Sequence, residues 1–165
     1  MEQTEYRSAD LVVGGGKSPG MGVKLLNDHE ASPTYMIVFS KGDEVVSGLT
    51  EFANKYAVKS AHFHGIGSAF SLELGWFDFE RLQYKVIPIG VAEVTSILGN
   101  ITLYNGEPVI HAHATAALGD GSVKGGHLLK LISGPTIEIV ITLEPNPLFK
   151  KLDAEFNALM IDTKL

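Results

Sequence analysis

After Tyr56 the chain changes its period. Before that point, Val46, Leu49, Ala53 and Tyr56 repeat at helical spacing and mark 41–58 as a helix with one apolar stripe. Beyond it, the segments 58–70, 71–79, 83–89, 91–99, 100–106, 108–118, 125–132 and 136–143 all suit strands, with a period of two. Successive side chains of a strand point to opposite faces, so such segments expect one buried face each. Short turn signals separate several of them: Asn105-Gly106, Gly119-Asp120-Gly121 and Ser133-Gly134-Pro135. Strands joined by links this short pair antiparallel. A strand at 34–40, the helix, then the run of strands predict an α+β fold. It is a single domain in which a largely antiparallel sheet packs against one main helix. Asp43 is placed to cap that helix, and a short second helix is expected at 147–158.

With 165 residues the chain suits one domain with a real core. It has 13 Lys and Arg against 19 Asp and Glu, a net charge of −6, and Lys150-Lys151 is its only adjacent basic pair. Duplex binding needs a clustered basic patch, so the charges do not suggest a nucleic-acid partner. There is no cysteine, which excludes disulfides, thiolate ligands and thiol nucleophiles. No apolar run approaches a membrane span, and the first residues lack the basic start and apolar stretch of a signal peptide. A cytoplasmic location with no membrane partner is the expectation. The stretch "GGGKSPGMG" resembles a phosphate loop only superficially. Leu11 stands where the Walker pattern needs its first glycine, so a flexible glycine-rich loop is expected.

Three of the six histidines lie in "EPVIHAHATAALGDGSVKGGHL". From 108 to 118 the even positions are apolar and belong to the core. His111 and His113 share the other face, with Cα atoms about 6.6–7 Å apart. Two imidazoles so placed can converge on one ion. His127 lies on the next strand. An odd-length loop, or a bulge at Gly125-Gly126, would bring it to the same face, whereas a two-residue turn would send it to the other. His62 and His64 repeat the His-x-His spacing on another strand, and His29 stands alone in a polar loop. A satisfied surface pair is the competing reading of any such histidines. Glu138 shares the polar face of its strand with Thr136 and Thr142. It is a candidate acid-base group or histidine partner, although a solvated strand position is the commoner outcome for such a residue. The cupin metal motif is not matched, because Ala117 and Leu118 stand where its glutamate belongs. No Gly-x-Ser-x-Gly elbow is present.

Ser96, Gly99, Asn100 and Ile101, then His111 and His113, then Asp120 and Gly121, then Gly125-Gly126-His127-Leu128, then Thr136, Glu138 and Ile139 follow one another in order. This pattern resembles the plant and prokaryote conserved (PPC) domain over roughly 34–144. The resemblance divides the chain into a glycine-rich segment 1–32, a PPC-like domain 33–146 and a C-terminal extension 147–165. It implies a homotrimer and a metal site, zinc, formed by His111, His113 and His127. It also carries a DNA-binding or regulatory role, because plant members couple the domain to an AT-hook. The hook's Arg-Gly-Arg-Pro core does not occur in this sequence. The alternative is a zinc-dependent hydrolase or lyase acting on a small molecule: three histidines with an open fourth position suit catalytic zinc, but the sequence offers no clear general base.

Overall fold

The period-two region builds a few long strands rather than many short ones. The computed structural model describes residues 4–165. In chain order it contains β1 (Tyr6–Ser8), β2 (Gly22–Asn27), β3 (Thr34–Phe39), helix α1 (Val45–Lys55), β4 (Ala61–Asp78), β5 (Gln83–Ile89), β6 (Ala92–Tyr104), β7 (Glu107–Ala117), β8 (Val123–Leu143), β9 (Phe149–Asp153) and β10 (Ala158–Asp162). The expected breaks near 70, 99 and 133–135 do not end strands: β4 runs for 18 residues, β6 for 13 and β8 for 21. Shifts of register inside β4, β6 and β8 absorb the irregular residues. Such bulges bend a strand and sharpen its twist without terminating it.

Bending lets the sheet close. β4 pairs with β8 along one edge and with β6 and β5 along the other, while β7 bridges β6 to β8. The cycle β4–β6–β7–β8–β4 is therefore complete. Its buried face carries Phe63, Ile97, Ile101, Ala112, Ala114, Ala116, Ile139 and Ile141. The even-numbered face of β7 is the core face, as the alternation predicts. β3 and β2 extend the sheet beyond β8, and β1 lies on β5. Among the described residues every strand pairing is antiparallel except one parallel contact, Leu103 with Phe149. The Asn105-Gly106 hairpin is present, with both residues at positive φ.

Helix α1 buries Val45, Val46, Leu49, Phe52 and Ala53 in the same core. Its cap is Glu44, not Asp43. The Glu44 carboxylate accepts from the backbone N–H of Val46, of Ser47 and, from β8, of Leu131. Asp43 instead accepts from Ser40 and Gly20 N–H groups. The glycine-rich segment is likewise tied down. Lys17 and Val13 carbonyls accept from Glu44 N–H and Thr50 Oγ1, and the buried Ser18 hydroxyl donates to the Glu44 carbonyl.

Two corrections concern fold class. No helix forms at 147–158; β9 and β10 make a hairpin there. Asp153 accepts from the N–H groups of Glu155 and Phe156, and Asn157 takes a positive φ of 50°, so this stretch turns back on itself. With α1 the single helix among the described residues, the fold is largely β rather than a balanced α+β. No helix among these residues is long and apolar enough to cross a membrane.

Candidate metal centre

His111, His113 and His127 meet on the outer face of the closed sheet. The loop between β7 and β8 spans 118–122, an odd number of residues, and β7 and β8 then pair in plain register with His113 directly opposite His127. The turn is set by Gly121 N–H donating to the Leu118 carbonyl and by Asp120, which accepts from both N and Oγ of Ser122. Those hydrogen bonds also hold the Asp120 carboxyl below its usual range.

The two glycines before His127 do not form a bulge against β7. Gly126 serves close packing instead: a Cβ there would stand 2.7 Å from the Gly75 carbonyl oxygen, and one on Gly75 would stand 2.9 Å from the Tyr84 ring. The absence of both side chains lets β8 approach β4 and lets Tyr84 lie flat on His127, with ring centroids 4.4 Å apart and an interplanar angle of 19°.

The three imidazoles offer ligand nitrogens all within 4.8 Å of one another. Ring centroids are 5.5 Å apart for His111 and His113, 5.2 Å for His111 and His127, and 5.5 Å for His113 and His127. Nδ1 of His127 is buried and has no hydrogen-bond partner. Burial, helped by the charge of Lys150 and by His113, pushes His111 down to about 4. Burial, with His111, His113 and Lys150 adding to it, pushes His127 down to about 3. Both rings are therefore neutral at pH 7, which is the ligand form. An orphaned buried nitrogen on one of two neutral imidazoles, with a third imidazole beside them, fits a divalent cation of borderline softness.

Other predicted residues fall outside this cluster. Glu138 is exposed and lies opposite Ile66 on β4, whereas His127 lies opposite Gly75, nine residues further along that strand. Glu138 is therefore neither a fourth ligand nor a partner of these histidines. His62 is exposed and its Nδ1 lies 2.7 Å from Glu144 Oε1. The register aligns His62 with Asn100 and then His111, and His64 with Leu98 and then His113. The second pair thus flanks the triad two strands away, about 10 Å off. His29 is exposed, as expected.

The surroundings of the triad are not legible in the sequence. A cavity of about 530 Å³ opens beside His111, walled by Phe77, Phe79, Tyr84, Asn100, Lys150, Phe156 and residues 158–161 of β10. Burial lowers the Lys150 amine and raises the Tyr84 hydroxyl. Asn100 had a signal, since it lies beside Gly99 in the motif that carries the resemblance. Lys150 had none, because its segment reads as a helix.

Residues 27–144 match the model of the Plants and Prokaryotes Conserved (PCC) domain. The chain belongs to this family. Solved structures agree. A proposed DNA-binding protein from Ralstonia eutropha JMP134 is 34% identical, with a TM-score of 0.74, covering 78% of this chain and 90% of that one. A PPC protein from Pyrococcus horikoshii is 31% identical, with a TM-score of 0.74, covering 87% and 97%. A metal-containing protein from Archaeoglobus fulgidus shares the fold, with a TM-score of 0.72 at 21% identity, covering 85% and 96%. No curated protein matches the chain. The His triad lies wholly inside the PCC match, and the hairpin β9–β10 lies after it.

Proposed function

We propose that this PCC-domain protein is a metal-binding module in which His111, His113 and His127 hold one divalent ion, zinc. The observation that carries the reading is the convergence of three imidazoles within 4.8 Å, with a buried nitrogen of His127 lacking any other partner. A zinc ion held by three imidazoles keeps a position for water or a ligand and supplies Lewis acidity there. Around that position the chain supplies Tyr84, which orients His127 by stacking, and Lys150, which brings a positive charge. That a protein of the same fold is described as metal-containing agrees with this reading but rests on fold alone. Elemental analysis of protein supplied with zinc and purified without chelator tests it. About one zinc per chain is expected; a metal-free protein under those conditions overturns the proposal.

The cavity beside His111 favours one second reading, a zinc-dependent hydrolase or lyase acting on a small molecule. Turnover that disappears with the metal and returns on its re-addition would establish it. A DNA-binding role attaches to the chain through the Ralstonia relative's description. The net charge of −6 opposes that role.

A further inference from the structure

We propose that the cavity beside His111 binds a small monocarboxylate with an aromatic or branched apolar body, its carboxylate held by Lys150 and the metal position. The proposal rests on the metal reading of the triad and adds a ligand class to it.

The first argument is charge. Three neutral imidazoles do nothing to offset a dication. Lys150, a residue only 8% exposed, adds an ammonium. The one hydrogen bond of its Nζ, among the described residues, is a long 3.4 Å contact to the Leu159 carbonyl, and no ion pair involves it. Neither the large cavity nor the smaller one joining His111, His127 and Lys150 has an acidic lining residue. Glu73, on the strand facing His127, is engaged by Arg7 at 2.6 Å and Lys130 at 3.9 Å. A buried positive charge without a counterion is costly, so the complement missing from this site is an anion.

The second argument is shape. About 530 Å³ suits a small organic molecule. Phe77, Phe79 and Phe156 form an edge-to-face series, with centroids 5.0 Å and 6.5 Å apart, and Met160 completes an apolar wall. One ammonium set in an apolar wall suits a monoanion carrying a hydrophobic body better than a strongly hydrated dianion such as phosphate. Asn100 adds a buried amide oxygen with no partner, where one ligand hydroxyl or N–H would be received. Lys150, Phe156 and Met160 all come from the β9–β10 hairpin, beyond the residues that match the PCC model. The ligand class is thus written in the C-terminal extension and the metal ligands in the domain.

The test is calorimetric titration of the zinc-loaded protein with 3-phenylpropanoate and with its neutral isostere, 3-phenylpropanamide. The acid is expected to bind about tenfold or more tightly than the amide. Lys150→Met should cut that preference severalfold at unchanged zinc content, leaving only the part the metal supplies, and Lys150→Arg should retain it. Phe156→Ala should weaken 3-phenylpropanoate while leaving acetate unaffected. Equal affinity for acid and amide, binding of neither, or an undiminished preference in Lys150→Met at full zinc content overturns the proposal. If the wild type takes up no zinc, the metal reading fails by itself. The same comparison on the metal-free wild type and Lys150→Met then decides the carboxylate site: a preference lost with the lysine upholds it, and no preference overturns it.

Discussion

Burial sets the protonation state of the triad before any ion arrives. In an unfolded chain a histidine titrates near 6.5, whereas His111 is pushed down to about 4 and His127 to about 3. Between those values the unfolded chain binds more protons than the folded one, so stability rises with pH across the window. The stabilising difference is fully present above about 6.5 and is lost progressively as pH falls through the folded values. Urea midpoints of the metal-free protein should therefore drop between neutral pH and about pH 4.5. The drop should be smaller in His127→Phe, which removes one of the two groups; an identical slope in that variant counts against the assignment. The same residues decide metal content. His111→Ala and His127→Ala should each lower bound zinc at least about tenfold, while His29→Ala, exposed in the β2–β3 loop, should leave it unchanged. Equal zinc in all three variants would make the triad a structural cluster only.

At the scale of elements, the site depends on how closely β8 approaches β4. A Cβ at Gly126 would meet the Gly75 carbonyl at 2.7 Å, so Gly126→Ala must push the strands apart just where His127 stacks on Tyr84. A destabilisation of about 1–3 kcal/mol is expected, with weaker zinc binding, both measurable by thermal melts with and without metal. Gly125→Ala meets Thr115 Cγ2 at 3.2 Å and the Ala114 carbonyl oxygen at 3.4 Å, both longer than the Gly126 contact, and should cost less. Helix α1 offers a second check. Glu44 satisfies two N–H groups of the first turn and one of β8, so Glu44→Ala should cost about 1–3 kcal/mol, more than truncating the half-buried Glu51. These elements also show what sequence makes visible. Alternation revealed the core face of β7 and hence the shared face of His111 and His113, because a strand's period fixes its faces whatever its partner. The register of His127 stayed open, since it depends on a five-residue loop whose conformation is set by the hydrogen bonds of Asp120 and Gly121. Breaks were expected near Gly99 and Ser133-Gly134-Pro135 where the strands in fact continue, because a residue that punctuates a turn also suits a bend in a closing sheet. The 147–158 segment looked helical by composition. Its pairing with β6 and its Asp153 turn are tertiary and local hydrogen-bonding choices that periodicity does not record.

At the scale of the whole molecule, the outer face of the closed sheet leaves large apolar side chains exposed. Ile66 and Leu98, 58% and 62% exposed, lie on adjacent strands next to His64, and Trp76 and Val91 are also exposed. A face of this kind is expected to be covered by further copies, and a homotrimer is the expected assembly. Light scattering should give a mass near three times 17.7 kDa, and Leu98→Asp should shift it toward the monomer; a wild-type monomer at micromolar concentration rejects the trimer. Assembly bears directly on the DNA question. Each chain carries a net charge of −6, and a trimer would triple a field that already repels phosphate, while the lone adjacent basic pair is spent: Lys150 is buried and Lys151 is bound to Asp162 at 3.1 Å. Affinity for duplex DNA comes mainly from cations that displace condensed counterions, and 13 Lys and Arg against 19 Asp and Glu leave the chain with an acidic excess. Gel-shift titrations at about 150 mM salt should therefore show no complex with ordinary duplex at micromolar protein, with or without zinc. A nanomolar complex that weakens steeply with added salt would overturn this and would require a basic surface built only in the assembled protein.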